Sequence, residues 1–137
     1  MRKIQTTFFM AAFMMLLGSC ERETPDAKVP EELLIGYWIS PEYHDSLITY
    51  QKADGFDYGP GFEFRMGGKL TERKNDGWCG TPPVTYGNFD GTYTLSQEGM
   101  LEVVSPYWGG IIRTRFAIVS IDQTSLKLKF LESGEAK

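Results

Sequence analysis

The sequence predicts an antiparallel all-β domain of about eight short strands, closed as a barrel or stacked as a sandwich. Three observations carry this. Apolar and polar residues alternate with period two through 62–66, 111–121 and 126–130, the spacing of a strand with one buried face. Glycine-containing turns separate these runs at hairpin distance, with Gly67-Gly68 the clearest and Gly99 another. Helical periodicity is not sustained over any long stretch of the domain.

The chain opens on MRKIQTTFFMAAFMMLLGSC. Arg2 and Lys3 supply a basic start, residues 8–17 an apolar run of ten, and Leu17-Gly18-Ser19 a small-residue approach to Cys20, which is the layout of an export signal. The apolar run falls well short of the ~20 residues that a spanning helix requires. Leu17-Gly18-Ser19-Cys20 resembles the lipobox of bacterial lipoproteins. The resemblance implies diacylglycerol transfer to the Cys20 thiol, cleavage ahead of it and acylation of the new amino terminus. Residues 1–19 are then a signal peptide, and the mature protein is expected in the cell envelope, held to the outer membrane through acyl chains on Cys20. Which face of that membrane stays open. Glu21, Glu23 and Asp26 follow the cysteine closely, as in some surface-displayed lipoproteins, but Arg22 interrupts them and a solvated linker is preferred.

Composition narrows the partners. Without residues 1–19 the chain keeps 118 of its 137 residues, the length of one domain with a modest core. Arg2 and Lys3 leave with the signal, so 12 basic side chains stand against 18 acidic ones. That balance argues against a nucleic-acid partner, which needs a basic patch, and against adsorption to anionic headgroups. Attachment must come from lipid, at ~0.8 kcal/mol per buried CH₂. With Cys20 acylated, Cys79 has no partner in the chain for a disulfide. Stability falls to the core, and 3 Trp and 7 Tyr supply large apolar surfaces for it.

Residues 20–30, CERETPDAKVP, are polar and contain two prolines, so they read as a flexible tether. Pro30 then favours a helical turn over 31–35 with Leu33 and Leu34 inward. Tyr37-Trp38-Ile39 opens the first strand after Gly36, and Pro41 is expected to close it because proline cannot donate to a ladder. Residues 46–52, SLITYQK, form the second, rich in β-branched and aromatic types. Residues 53–61 form a loop. The hairpin 62–66 and 69–74 turns at Gly67-Gly68. Residues 75–88 make the longest irregular stretch, too long for a simple connection and stiffened by Pro82-Pro83. A further hairpin pairs 89–95 with 100–104, and 105–110 is a loop. In 111–121, Ile112, Thr114, Phe116 and Ile118 share one face, with Arg113 and Arg115 opposite. After a turn at 122–125, residues 126–130 form the last strand. The domain therefore spans 31–131, and residues 132–137 are a tail expected to fray.

Gly36-Tyr37-Trp38 after a helical turn is similar to the lipocalin G-x-W, and the hairpin 91–104 and the closing pair 116–118 with 126–128 complete a likeness to bacterial lipocalin-like lipoproteins. The resemblance covers most of residues 33–130. It implies an up-and-down β-barrel with a ligand cavity at one mouth, on a chain that is short for a ligand carrier. Eight strands leave an interior that side chains just fill or that holds one small ligand.

Candidate sites follow. Trp38, Phe64, Tyr93 and Phe116 are expected inside the barrel, either lining an apolar pocket or simply forming the core, which large aromatics at strand spacing more often do. Trp78 and Tyr86 in the irregular stretch, with Tyr107 and Trp108, make either a rim for a small hydrophobic or amphiphilic ligand or an envelope protein partner, or a plug over one barrel end. Cys79 and the single His44 carry no nucleophile motif, so an inert thiol is expected and no catalytic residue is assigned. One His and one free Cys do not make a zinc site. Asp54, Asp57 and Asp76 lack calcium-loop spacing, and pairing Glu63 with Glu72 or Asp90 as glycosidase carboxylates has no geometric basis in sequence. No metal or cofactor is expected. The reading is a lipid-anchored lipocalin-like barrel that binds a small ligand, with a protein-interaction module such as a protease inhibitor or accessory subunit second.

Overall fold

The computed structural model describes residues 28–77 and 80–137, and within them the chain folds as one closed barrel of eight antiparallel strands with a single turn of helix. The helix α1 (Glu31–Leu34) follows Pro30, whose fixed φ of −67° suits a helix start. Gly36, at φ +117°, turns the chain from α1 into β1 (Gly36–His44), a conformation that costs glycine little. The strands β2 (Leu47–Ala53), β3 (Gly61–Arg65), β4 (Lys69–Asn75), β5 (Tyr86–Leu95), β6 (Met100–Tyr107), β7 (Gly110–Ile121) and β8 (Ser125–Glu135) complete the ring.

From β3 to β8 each strand pairs with the next. The order around the ring then carries one exchange relative to a plain up-and-down meander: β2, not β1, closes on β8, and β1 lies between β2 and β3. Residues 54–60 carry the chain over the outside of β1 to make this possible. Phe56 packs edge-on against Tyr37 at 5.1 Å, and the Ser40 hydroxyl donates to Asp57 at 3.1 Å. Tyr37 points outward because its neighbour Trp38 is fully buried within the barrel.

Several boundaries differ from those expected. Pro41 does not end β1, which continues to His44 past a register shift between Ile39 and Glu42, with Ser40 at φ +51°. The β3 ladder on that side stops at Ile39, so fewer donors are required where proline stands. Residues 105–107 belong to β6 and only Trp108 and Gly109 turn the chain into β7. Pro106 is tolerated there because the β5 ladder has already ended at Val104. The irregular stretch is shorter than expected, since β4 runs to Asn75 and β5 begins at Tyr86. The segment expected to fray from Glu132 continues β8, with residues Glu132 to Glu135 paired against Arg115 to Ile112.

Inward positions of all eight strands build the core: Trp38, Tyr50, Phe62, Phe64, Leu70, Tyr93, Leu101, Val103, Phe116, Leu126 and Leu128, joined by Leu34 of α1. Rings meet at 5.1–5.5 Å in a chain from Tyr50 through Phe62 and Phe64 to Tyr93, distances at which tilted and edge-on contacts are favourable.

Candidate functional site

The two ends of the barrel are built differently. At the end where β1 begins, α1 lies across the opening as a plug. Trp38 Nε1 donates to Leu34 O at 2.7 Å, which holds the buried indole to the helix. Lys52 reaches in from β2, donating to Leu33 O at 3.3 Å and to Ile35 O, with its ammonium 4.3 Å from the Trp38 ring centre. These carbonyls are among those a helix end leaves without internal partners. The Tyr93 hydroxyl lies 2.8 Å from Glu31 Oε1 and 2.9 Å from Arg65 O. Burial, then the neighbouring Glu31 carboxylate, pushes the Tyr93 phenol above its ordinary value.

The opposite end is open and polar inside. Along β4, Leu70 is buried in the core, so period two places Glu72 and Lys74 on the same inward face. Ser105 of β6 is buried and faces them. Lys74 Nζ donates to Glu72 Oε2 and to Ser105 Oγ, each at 2.8 Å, and the Ser105 hydroxyl donates to the same Glu72 oxygen. Lys74 also stands 5.3 Å from the centre of the Phe89 ring. Glu72 and Lys74 side chains are each only 20 % exposed. A sheltered ion pair of this kind gains little over an apolar core because desolvation opposes the attraction, so stability is a weak reason for its presence.

Above the pair lies a cavity of about 430 Å³. Glu72 and Lys74 make its floor, Phe89, Ile112 and Thr114 its walls, and Asp76, Tyr107 and Trp108 its rim. Tyr107 donates to Glu135 at 3.1 Å, and that carboxylate holds the phenol above its usual value. Tyr43 and Tyr50 are raised too, by desolvation first and then by neighbouring groups that include Glu72. A second hollow of about 450 Å³ lies outside the plugged end, lined by residues 28–32 and two hairpin turns. The mouth cavity differs from it in combining an ion pair with aromatic walls.

The expected site residues separate accordingly. Trp38, Phe64, Tyr93 and Phe116 are packed core, at most 5 % exposed. Trp108 and Tyr107 line the mouth. Tyr86 meets Tyr58 edge-on with ring centres 5.6 Å apart, and Tyr58 in turn donates to Val84 O at 2.7 Å, which ties the 54–60 loop to the β4–β5 connection. Cys20, the expected signal over residues 1–19, Trp78 and Cys79 lie outside the described residues. His44 sits at the exposed end of β1, 3.5 Å from Asp45. Among the described residues no three His, Cys, Asp or Glu side chains converge as metal ligands, and no helix is long and apolar enough to cross a membrane. Lys74, Ser105 and Phe89 are site residues that sequence reasoning does not single out, while Glu72 enters it only as a rejected glycosidase carboxylate and Ile112 only as a residue on the face shared with Phe116. Their signal is faint: two charges in register with the buried Leu70.

No family model matches the chain, and neither the search of curated proteins nor that of solved structures returns a match.

Proposed function

We propose that this chain is a lipid-anchored, lipocalin-like protein of the bacterial cell envelope that holds a small amphiphilic molecule in the mouth of its barrel. The observation that carries the binding reading is the mouth cavity of about 430 Å³ with a polar floor and aromatic walls, within the ~300–1,000 Å³ range of small-molecule sites. The anchor rests on Leu17-Gly18-Ser19-Cys20. A protein partner is the second reading, favoured by Trp108 and Ile111, which are 76 % and 50 % exposed beside the same mouth.

Protein purified from membranes and examined by mass spectrometry tests anchor and ligand together. Expected are an acylated amino terminus at Cys20, lost with release from membranes in Cys20→Ser, and saturable binding of the neutral dye N-phenyl-1-naphthylamine that Ile112→Trp abolishes by filling the cavity. Dye binding unchanged in that variant would end the cavity reading; unmodified Cys20 would end the anchor.

A further inference from the structure

The charges around the mouth indicate which amphiphile it selects, an inference that rests on the binding reading above. Among the described residues Lys74 is the only cation lining the cavity, and its ammonium is already engaged by Glu72, Ser105 and the Phe89 face. It cancels the Glu72 charge. Among the described residues one lining carboxylate then remains without a cation at the rim, with a second, Glu135, just outside the lining. Asp76 lines the cavity, and the Thr85 hydroxyl donates to it. Glu135 accepts from Tyr107. The basic residues on the neighbouring outer wall are paired elsewhere, Arg113 with Glu102 and Arg115 with Glu102 and Glu132. The aromatic rings of Tyr107 and Trp108 add a second preference of the same sign, because their faces are negative.

We infer that the mouth takes an amphiphile with a cationic head, an amine or quaternary ammonium, seated between Asp76 and the Tyr107–Trp108 rim with its short apolar body against Phe89 and Ile112. A carboxylate-headed amphiphile meets the opposite field. At rim distances of several ångströms in a partly wet site, one uncompensated charge shifts a charged head relative to a neutral one by roughly tenfold in affinity at low salt, upward for a cation and downward for an anion.

The test is calorimetric titration of the full-length protein with octyltrimethylammonium, octanol and octanoate. The expected order is ammonium, then alcohol, then carboxylate, with successive gaps of roughly tenfold that shrink as salt is added. Asp76→Asn, an exposed position, is expected to lower the ratio of ammonium to octanol affinity several-fold. Because the whole chain is acidic, non-specific attraction must be separated: a preference that survives Asp76→Asn unchanged overturns the assignment to the mouth. Equal affinity for the three heads, or tighter binding of octanoate, overturns the charge selection while leaving the cavity reading intact. Failure of all three probes and of the neutral dye overturns both.

Discussion

Lys52 shows how one side chain can close one end of a barrel. Its ammonium satisfies Leu33 O and Ile35 O and covers the Trp38 ring, while desolvation pulls its pKa below the ordinary lysine value. The hydrogen bonds win, since charge-assisted bonds contribute ~1.5–3 kcal/mol and leaving a buried carbonyl orphaned costs ~1–3 kcal/mol. Lys52→Met keeps the packing and loses the donors, so a destabilisation of about 2 kcal/mol in urea unfolding is expected. Tyr50 and Tyr93 yield a second expectation. Burial is the largest cause raising both phenols, so the folded state keeps them neutral at a pH where an unfolded chain ionises near 10. Their contribution is fully present below pH ~10 and is lost as pH climbs above it toward the folded values. Unfolding midpoints should therefore fall above pH ~10, and ultraviolet phenolate absorbance of these two should appear only with unfolding. At this scale the core aromatics are legible from sequence, because a large ring at an alternating position has few places to go. Glu72 and Lys74 are not: β4 reads Leu70-Thr71-Glu72-Arg73-Lys74, polar on both faces, which erases the period-two signal.

At the level of elements, strands with one face on the core announce themselves, as in β3 and β8, whereas strand ends depend on neighbours the sequence does not reveal. Pro41 and Pro106 look like terminators, yet each stands where the ladder on one side has stopped and a missing donor costs little. The exchange of β1 and β2 is equally hidden, since both pairings satisfy the same alternation. Its structural requirement is visible at Gly61, where the loop rejoins the sheet. An added Cβ there would lie 2.5 Å from Trp38 O and 3.4 Å from Ile39 Cα, against a buried residue with no room to shift. Gly61→Ala is thus expected to cost about 2–3 kcal/mol by overpacking, measurable by denaturant titration, whereas Gly55→Ala, with open space at its Cβ, should change stability by no more than ~0.5 kcal/mol.

The whole molecule divides into a six-strand meander, β3 to β8, built from successive hairpins, and a closure that joins β2 to β8 across some 80 residues, as in Leu47 with Lys129. Loop-closure entropy makes such a long-range seam late in folding. Leu128, fully buried at that seam, is a direct probe. Leu128→Ala is expected to cost about 2–5 kcal/mol, and most of it should appear as faster unfolding with little change in the folding rate. Stopped-flow measurement on both limbs checks this; slowed folding with unaltered unfolding would place the seam in the nucleus instead.

Chain entry and cavity sit at opposite poles of the barrel: residue 28 leads into the helical plug, and the cavity opens past the far ends of the strands. For a protein acylated at Cys20, the eleven residues 20–30 span at most about 35–40 Å. The bolted pole is then the one leashed nearest the lipid, and the aperture looks outward. If the mouth holds an amphiphile as proposed, that passenger would arrive from the aqueous side or from an opposing surface, since lifting a molecule straight out of the anchoring bilayer would require the barrel to capsize on its leash.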